Sequence, residues 1–180
     1  TRAFADVAVG DELTPLAIPL TRTVIVSTAI ATRDYQDVHH DPALAVERGS
    51  PDIFMNILST NGFVSRFVTE WAGPGSRLTR LSIRLGAPNY PGDTMSFTGS
   101  VEAKDEATKT ITVGLVGANS IGDHVTGKVE VVVADVATAN DYYPFGMVMP
   151  GRKFSAGSKY RYGFNGKENG NEISGDGNSI

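Results

Sequence analysis

The densest group of proton-transfer side chains lies between Ala31 and Asp41, in the stretch ATRDYQDVHHD. It holds two of the three histidines of the chain, His39 and His40, together with three aspartates. Residues five apart are poorly placed for one shared site on a helix, but a turn that leaves a helix end can bring Asp34 and His39 together. A carboxylate beside an imidazole suits general acid–base catalysis, so this stretch predicts an active site.

The neighbours of this pair also have structural interpretations, because polar loops contain acids and histidines without any chemistry. His40 is expected to be structural, Asp37 to stabilise the loop or lie exposed, and Gln36 to hydrogen-bond within the loop. Asp41 precedes a proline and is best explained as a helix N-cap, with orientation of a histidine as a second interpretation. His124 follows a turn signal and is expected to be structural.

The composition excludes several classes of protein. The 180 residues predict one domain, and an apolar fraction of 41% is enough for one core. The absence of cysteine excludes disulfides and thiolate metal sites. A metal ion would draw ligands from more of the chain than one loop, so we expect no metal site.

Net charge and hydropathy limit the classes of partner that we expect for this chain. The net charge is −4 and no basic run stands out, which argues against nucleic acid as a partner. No apolar run approaches the ~20 residues of a membrane span, so we expect no membrane association. The expected location is the cytoplasm.

Caps and periodicity indicate the elements that position the candidate loop. The region 13–23 contains two prolines, which suits an edge strand. The apolar run 24–31 is too short for periodicity to separate helix from strand. Asp41 and Pro42 predict the start of a short helix that Gly49 ends.

A longer helix is predicted to follow at once. Ser50, Pro51 and Asp52 repeat the start signal, a cap followed by proline and an acid. Positions spaced by three or four residues then continue to Gly73, where the helix ends. The face that they form should be largely buried, and it comprises Ile53, Ile57, Asn61, Val64, Val68 and Trp71.

After Pro74 the hydrophobic period changes to two. Alternation occurs within residues 81–85, 94–101, 110–115 and 125–133, with turn signals between these segments. Four consecutive antiparallel strands with one polar face are therefore predicted. One buried helix before such a meander is the α+β pattern, with the helix on one face of the sheet.

The composition shifts near residue 140, so we divide the chain into a domain at 1–138 and a tail at 139–180. Residues 141–180 hold 8 of the 20 glycines and 4 of the 6 tyrosines. Two segments, 142–152 and 160–168, resemble the core-associated region of Rhs/YD-repeat proteins. A fragment of this size and composition cannot bury its own core, so the tail is expected to be non-globular and poorly structured.

The candidate stretch resembles the hydratase motif of the MaoC-like family, the R-specific enoyl-CoA hydratases. That motif reads roughly Ser/Thr-Gly-Asp-x-Asn-Pro-Leu/Ile-His-x-Asp, and this chain reads TRDYQDVHHD from Thr32 to Asp41. The Asp, the His and the trailing Asp keep their spacing. Arg33, Gln36 and Asp37 replace the Gly, Asn and Pro of the family.

Two further segments, 49–58 and 71–74, are similar to those of the small catalytic subunits of actinobacterial steroid side-chain hydratases. The resemblance covers roughly residues 12–135 and implies a hotdog fold, in which an antiparallel sheet wraps a long central helix. It also implies a short helix over 24–31.

The activity implied by this resemblance is hydration of a trans-2-enoyl-CoA thioester, with Asp34 and His39 as the catalytic pair. Backbone amides near the predicted start of the long helix, at Ile53, Phe54 and Met55, would bind the thioester oxygen. The family uses no metal and no cofactor, since coenzyme A is part of the substrate.

The implied partners are a second MaoC-like subunit, in a dimer or higher oligomer, and a thiolase-like aldolase. Two alternatives remain open at this point. Hotdog acyl-CoA thioesterases carry their acid on the long helix, where Asp52 and Asn56 are the polar candidates. The second alternative is a non-catalytic subunit that shapes the pocket of a hetero-oligomeric hydratase.

Overall fold

One long helix packs against a curled antiparallel sheet in the first part of the chain. The computed structural model describes residues 2–133, 138–142 and 148–155. Its helices are two single-turn 3-10 helices, Phe4–Asp6 and Asp37–His39, and three α-helices, α1 (Arg22–Ala31), α2 (Pro42–Glu47) and α3 (Ile57–Ala72). Its strands are β1 (Leu16–Pro19), β2 (Ser76–Leu85), β3 (Thr94–Asp105), β4 (Thr110–Ala118), β5 (Asp123–Val133), β6 (Thr138–Tyr142) and β7 (Val148–Ser155).

The order of strands in the main sheet is β1-β3-β4-β5-β2, and every pair is antiparallel. The four predicted strands are confirmed, but their succession as a meander is wrong because β2 pairs with β5 and not with β3. Residues 86–93 connect β2 to β3, and they exceed the roughly two to five residues of a tight hairpin loop. The predicted edge position of β1 is confirmed, since β1 pairs with β3 alone.

The two short helices follow their caps. In α1 the Thr21 hydroxyl accepts a hydrogen bond from the amide of Val24 at 3.0 Å, and the helix implied over 24–31 is confirmed. In α2 the Asp41 carboxylate accepts from the amides of Ala43 and Leu44 at 2.9 and 3.1 Å. Asp41 is therefore the predicted N-cap.

The long helix starts later than its sequence signals predict. Its N-cap is Asn56, whose side-chain oxygen accepts from the amide of Ser59 at 2.9 Å, and not a residue at 50–52. The Ser50 hydroxyl instead donates to the carbonyl of Asp52 at 2.7 Å, which closes a turn there. An irregular segment, residues 53–55, separates that turn from α3.

The core lies between α3 and the inner face of the sheet. Phe67 of α3 stacks on Phe97 of β3 with ring centroids 5.5 Å apart. Around this pair, alternate residues of β3, β4 and β5 are buried, which confirms the predicted alternation. The helix-on-sheet α+β arrangement is confirmed. The end of α1 and the start of α3 lie close to the loop that carries the two histidines.

The chain divides into two compact units, Thr1–Ala134 and Asp135–Ile180. In the second unit, β6 and β7 form a two-stranded antiparallel hairpin. The boundary predicted between residues 138 and 139 falls within β6. The poor structure predicted for the tail, and its resemblance to Rhs/YD-repeat proteins, concern mainly residues outside those described and stay predictions. Among the described helices, none is long and apolar enough to cross a membrane.

Candidate active site

Asp34 is carried out of α1 by a left-handed turn. Its amide donates to the carbonyl of Ala29 at 3.0 Å, and the preceding Arg33 has a φ of 57°. This region of backbone space favours glycine, which the MaoC-like motif has at this position. Arg33 adopts the same turn at the cost of some backbone strain, so the replacement leaves the direction of the Asp34 side chain intact.

His39 is held by a contact far from it in sequence. It ends the 3-10 helix Asp37–His39, and its Nδ1 lies 2.7 Å from the carbonyl oxygen of Phe54. A carbonyl can only accept, so Nδ1 carries the proton and donates it. In the neutral ring, Nε2 therefore presents a lone pair.

That lone pair faces the other half of the predicted pair. His39 Nε2 lies 3.4 Å from Asp34 Oδ2, and the side chains are 7% and 17% exposed. One water oxygen can hydrogen-bond to both atoms at this separation. The structure thus brings together the two residues that their spacing predicted.

Hydrogen bonds keep the Asp34 carboxylate ionised. The side-chain amide of Asn56 donates to Asp34 Oδ2 at 2.9 Å, and this contact is the main reason that the pKa of Asp34 lies below its ordinary value. Partial burial opposes the shift, while the amide of Gln36 and the charge of His39 add to it. Asp34 can therefore accept a proton but has none to give at neutral pH.

The other residues singled out in this loop have structural roles. Asp37 pairs with Arg48 at 2.7 Å, as expected of a loop-stabilising acid. His40 is exposed, with Nε2 3.2 Å from the carbonyl of Tyr35. The hydrogen bond expected of Gln36 comes from its backbone, whose amide lies 3.4 Å from Asp34 Oδ1.

Two residues outside the loop, His124 and Asp52, make structural contacts. His124 is 2% exposed and lies between the Thr60 hydroxyl, 2.8 Å from Nε2, and the carbonyl of Ala87, 2.6 Å from Nδ1. Its predicted structural role is confirmed. Asp52 pairs with Arg22 at 2.6 Å and precedes α3, so it is not an acid on the long helix as a thioesterase would require.

The amides of Ile53, Phe54 and Met55 are not free, which corrects the prediction that they begin a helix and bind the thioester oxygen. They donate to the Asp52 carboxylate at 2.7 Å, the Val38 carbonyl at 3.1 Å and the Asn89 carbonyl at 3.1 Å, respectively. Ile53 and Met55 also bury their side chains, at 1% and 3% exposure. The contacts of Phe54 and Met55 join residues far apart in sequence, so local spacing does not reveal them.

Unpartnered amides occur instead one turn later in the chain. Within the part of the chain that the structure describes, the amides of Asn56, Ile57 and Leu58 have no hydrogen-bond acceptor. They begin α3, where the helix dipole favours negative charge. Asn56 itself bonds to Asp34, so these amides start next to the Asp–His pair.

An aromatic wall adjoins His39. The ring of Phe54 meets the imidazole edge-on with centroids 5.0 Å apart, and Tyr90 meets Phe54 at 6.5 Å in the same way. Phe54 thus lies at the site through its carbonyl and its ring. The sequence analysis missed Tyr90 and the contact of Asn56 with Asp34. The signal that could have pointed to Asn56 is its residue type, because asparagine is a favoured helix N-cap and Asn56 caps α3 through the amide of Ser59.

Comparisons with known proteins identify the family of this chain. A MaoC-like domain family model matches residues 6–136. The chain is 50% identical over 127 residues to the 3-oxo-4,17-pregnadiene-20-carboxyl-CoA hydratase beta subunit of Mycobacterium tuberculosis, which covers 71% of this chain and 97% of that protein.

Solved structures give the same fold. A chain of the ChsH1-ChsH2 complex from Mycobacterium tuberculosis aligns with a TM-score of 0.68 and 50% identity, covering 71% of this chain and 98% of that one. The (R)-hydratase from A. caviae involved in PHA biosynthesis aligns with a TM-score of 0.66 and 21% identity, over 72% and 98% of the two chains. The predicted hotdog fold is confirmed.

Proposed function

Because the chain belongs to the MaoC-like family of hydratases, we propose that it adds water to a trans-2-enoyl-CoA thioester. The observation that carries this proposal is the 3.4 Å approach of Asp34 Oδ2 to His39 Nε2. The bond of Nδ1 to the Phe54 carbonyl leaves Nε2 free to accept a proton. No other group in the candidate loop has this arrangement.

The mechanism that we propose uses the pair as one proton-transfer unit. A water donates one hydrogen bond to Asp34 and the other to His39 Nε2. As its oxygen attacks the β-carbon, Nε2 takes a proton, and the carboxylate of Asp34 stabilises the imidazolium. The double-bond electrons move toward the thioester. Nε2–H then protonates the α-carbon on the same face, which restores the neutral imidazole and completes syn addition.

Negative charge that develops on the thioester oxygen needs donors fixed in advance. The amides of Ile57 and Leu58, at the start of α3, are the candidates that replace those at 53–55. They supply N–H groups and the positive end of the helix dipole at no reorganisation cost. We place the thioester carbonyl there, with the acyl chain against the ring of Phe54.

The acyl group that we propose is a steroid side chain. The support is the Mycobacterium tuberculosis relative, whose name specifies a pregnadiene carboxyl-CoA hydratase, at 50% identity. We propose a cytoplasmic location, because thioesters of coenzyme A are intracellular metabolites. The hydrated product would be a β-hydroxyacyl-CoA, and a thiolase-like aldolase would be a suitable partner to cleave it.

The test is a mass-spectrometric assay of the full chain with 2-enoyl-CoA thioesters of a short fatty acid and of a steroid side chain. Gain of one water with the thioester intact would support hydration, and a faster reaction of the steroid substrate would support the acyl group. Release of a free acid and coenzyme A would instead indicate a thioesterase. No reaction of either substrate, also in the presence of a co-expressed partner, would contradict a catalytic role.

We also propose that the active unit is a hetero-oligomer with a second MaoC-like chain. The same relative is called a beta subunit, and the similar solved chain belongs to a ChsH1-ChsH2 complex. In this chain, Tyr35 follows Asp34, Ile57 and Leu58 follow Asn56, and the three residues are 68%, 50% and 46% exposed. A partner would cover these apolar side chains. Sedimentation of the co-expressed pair should show one complex, and separate monomers would contradict it.

A further inference from the structure

The side chain of Asn56 has all four of its hydrogen-bonding positions filled. It is 2% exposed. Its oxygen accepts from the amide of Ser59 at 2.9 Å and also from the Ser59 hydroxyl. Its nitrogen donates to Asp34 Oδ2 at 2.9 Å and to the Thr32 hydroxyl oxygen at 3.0 Å. An amide has two donors and two acceptor positions, so none is left over.

These partners allow only one orientation of the Asn56 amide. A backbone N–H can only donate, so the amide of Ser59 requires the side-chain oxygen on its side. The Thr32 hydroxyl gives its own hydrogen to the carbonyl of Thr28 at 2.8 Å and is left to accept. The NH2 group of Asn56 must therefore face Asp34, and a flipped side chain would lose the bonds to the Ser59 amide and to Asp34.

The oxygen of Asp34 that receives this bond is the one that faces the imidazole. Oδ2 lies 2.9 Å from Asn56 Nδ2 and 3.4 Å from His39 Nε2. Rotation of the Asp34 carboxylate away from His39 would break the bond to Asn56, which is itself anchored in the first turn of α3. Hydrogen bonds to a charged acceptor are about twice as strong as neutral ones, so this restraint is effective.

We infer that Asn56 is a positioning residue, which sets Asp34 Oδ2 against His39 and ties that carboxylate to the start of α3. The inference rests on the proposed hydratase function and deepens it. Through one side chain, the proton-transfer pair keeps a constant relation to the amides of Ile57 and Leu58. The substitution of a single residue should then disturb proton transfer without removing any group that touches substrate.

The decisive variant is Asn56→Ser. Serine is as good an N-cap as asparagine, so the bond to the amide of Ser59 can persist while the donor to Asp34 is lost. The matched control is Thr32→Val, which removes the other partner of the same NH2 group and leaves Asp34 untouched. Both are made in the full chain and compared with wild type.

We expect kcat of Asn56→Ser to fall on the order of 10-fold to 100-fold with little change in KM, the range for losing a hydrogen bond to a charged group. The acid limb of its pH profile should move to higher pH, since Asp34 loses the contact that favours its ionised form. Thr32→Val should keep kcat and the pH profile near those of wild type. Equal kcat in the two variants would overturn the inference.

A second measurement is independent of turnover. The carboxyl carbon of Asp34 is followed by NMR as a function of pH in the wild type and both variants. The Asp34 midpoint should rise in Asn56→Ser and stay in place in Thr32→Val, and an unchanged midpoint in Asn56→Ser would overturn the inference. If wild type hydrates no enoyl-CoA, the proposed function fails while this titration still decides whether Asn56 controls Asp34.

If Asn56→Ser fails to fold, Asn56→Asp replaces it. This substitution keeps the shape and the cap but exchanges the donor for a second carboxylate beside Asp34. The Asp34 midpoint should then rise, because two carboxylates at this distance cannot both ionise freely. A midpoint equal to that of wild type would count against the contact.

Discussion

At the scale of single residues, Asp34 and His39 are oriented by groups that take no part in the proposed proton transfer. The Phe54 carbonyl fixes the tautomer of His39, and Asn56 fixes one oxygen of Asp34. Neither contact involves a neighbour in sequence. The result is a pair in which each member presents one defined atom to the other.

The first prediction concerns this pair. Asp34→Asn keeps the shape of the side chain and removes its charge, and His39→Ala removes the proton acceptor. Each should lower kcat by on the order of 10²–10⁴-fold, as is typical of acid–base groups. The double variant should be little worse than the worse single one, because the two residues act as a unit. Steady-state kinetics with an enoyl-CoA measures this.

His40→Ala is the internal control for that series, because His40 is exposed and its Nε2 lies near the carbonyl of Tyr35 rather than near Asp34. It should retain most of the activity. If His40→Ala abolished hydration while His39→Ala spared it, the roles given to the two histidines would be reversed.

The second prediction concerns His124 and the pH dependence of stability. Burial lowers the pKa of His124 below its ordinary 6.5, although the contact with the Ala87 carbonyl partly opposes this. The unfolded chain therefore binds a proton more readily than the folded one. The free energy of unfolding should decrease as the pH falls through about 6.5 and below. Above that pH the contribution is fully present.

His124→Gln isolates this effect, since His39 and His40 remain in both proteins. Glutamine can still bond to the Thr60 hydroxyl but does not titrate. Denaturant unfolding at neutral and mildly acidic pH should show a smaller loss of stability in the variant than in wild type. Equal losses would mean that His124 does not contribute to the acid sensitivity.

At the scale of elements, the start of α3 combines three features in one turn. Asn56 caps the helix, the first amides of α3 have no acceptor among the described residues, and the chain just before the cap supplies the Phe54 carbonyl. A helix that began at residue 53, as its sequence signals indicate, would have placed these groups elsewhere. The delayed start is therefore what builds the candidate site.

The third prediction uses two glycines in different elements. Gly62 lies on the exposed face of α3, and a Cβ there would meet nothing within 4 Å. Gly62→Ala should raise the free energy of unfolding by about 0.5–1 kcal/mol, because alanine loses less backbone entropy in a helix.

Gly117 of β4 is the matched contrast. A Cβ there would lie 2.7 Å from the ring of Phe97 and 2.8 Å from Val125. Gly117→Ala should lower the free energy of unfolding by roughly 1–3 kcal/mol, since the packed core must shift to admit it. Denaturant titration of both variants measures the two changes, and the same sign in both would contradict the packing described for the sheet.

At the scale of the whole molecule, the first compact unit contains the sheet, α3 and every residue of the candidate site. The fourth prediction is that truncation after Ala134 leaves both the melting temperature and the activity of the chain nearly unchanged. The reason is that the five-stranded sheet, α3 and the candidate site are all built from residues of the first unit. Thermal unfolding and the enoyl-CoA assay test it, and a large loss in either would mean that residues 135–180 support the first unit.

The amino-acid sequence alone determined the features that depend on neighbouring residues. Asp41 before Pro42 predicts α2, alternation predicts the strands, and the spacing of Asp34 and His39 predicts the pair that the structure brings within 3.4 Å. Each rests on local physics: a cap bonds to amides two or three residues ahead, and strand alternation repeats every second residue. The resemblance to MaoC-like proteins added the hotdog fold and α1, which periodicity left open.

The tertiary structure decided what depends on residues far apart. β2 pairs with β5 rather than with β3, and the Asn89 carbonyl takes the amide of Met55. Asn56 reaches Asp34 across 22 positions of the chain. A donor has no preference among distant acceptors until packing brings one within about 3 Å, so local spacing could not have predicted these partners.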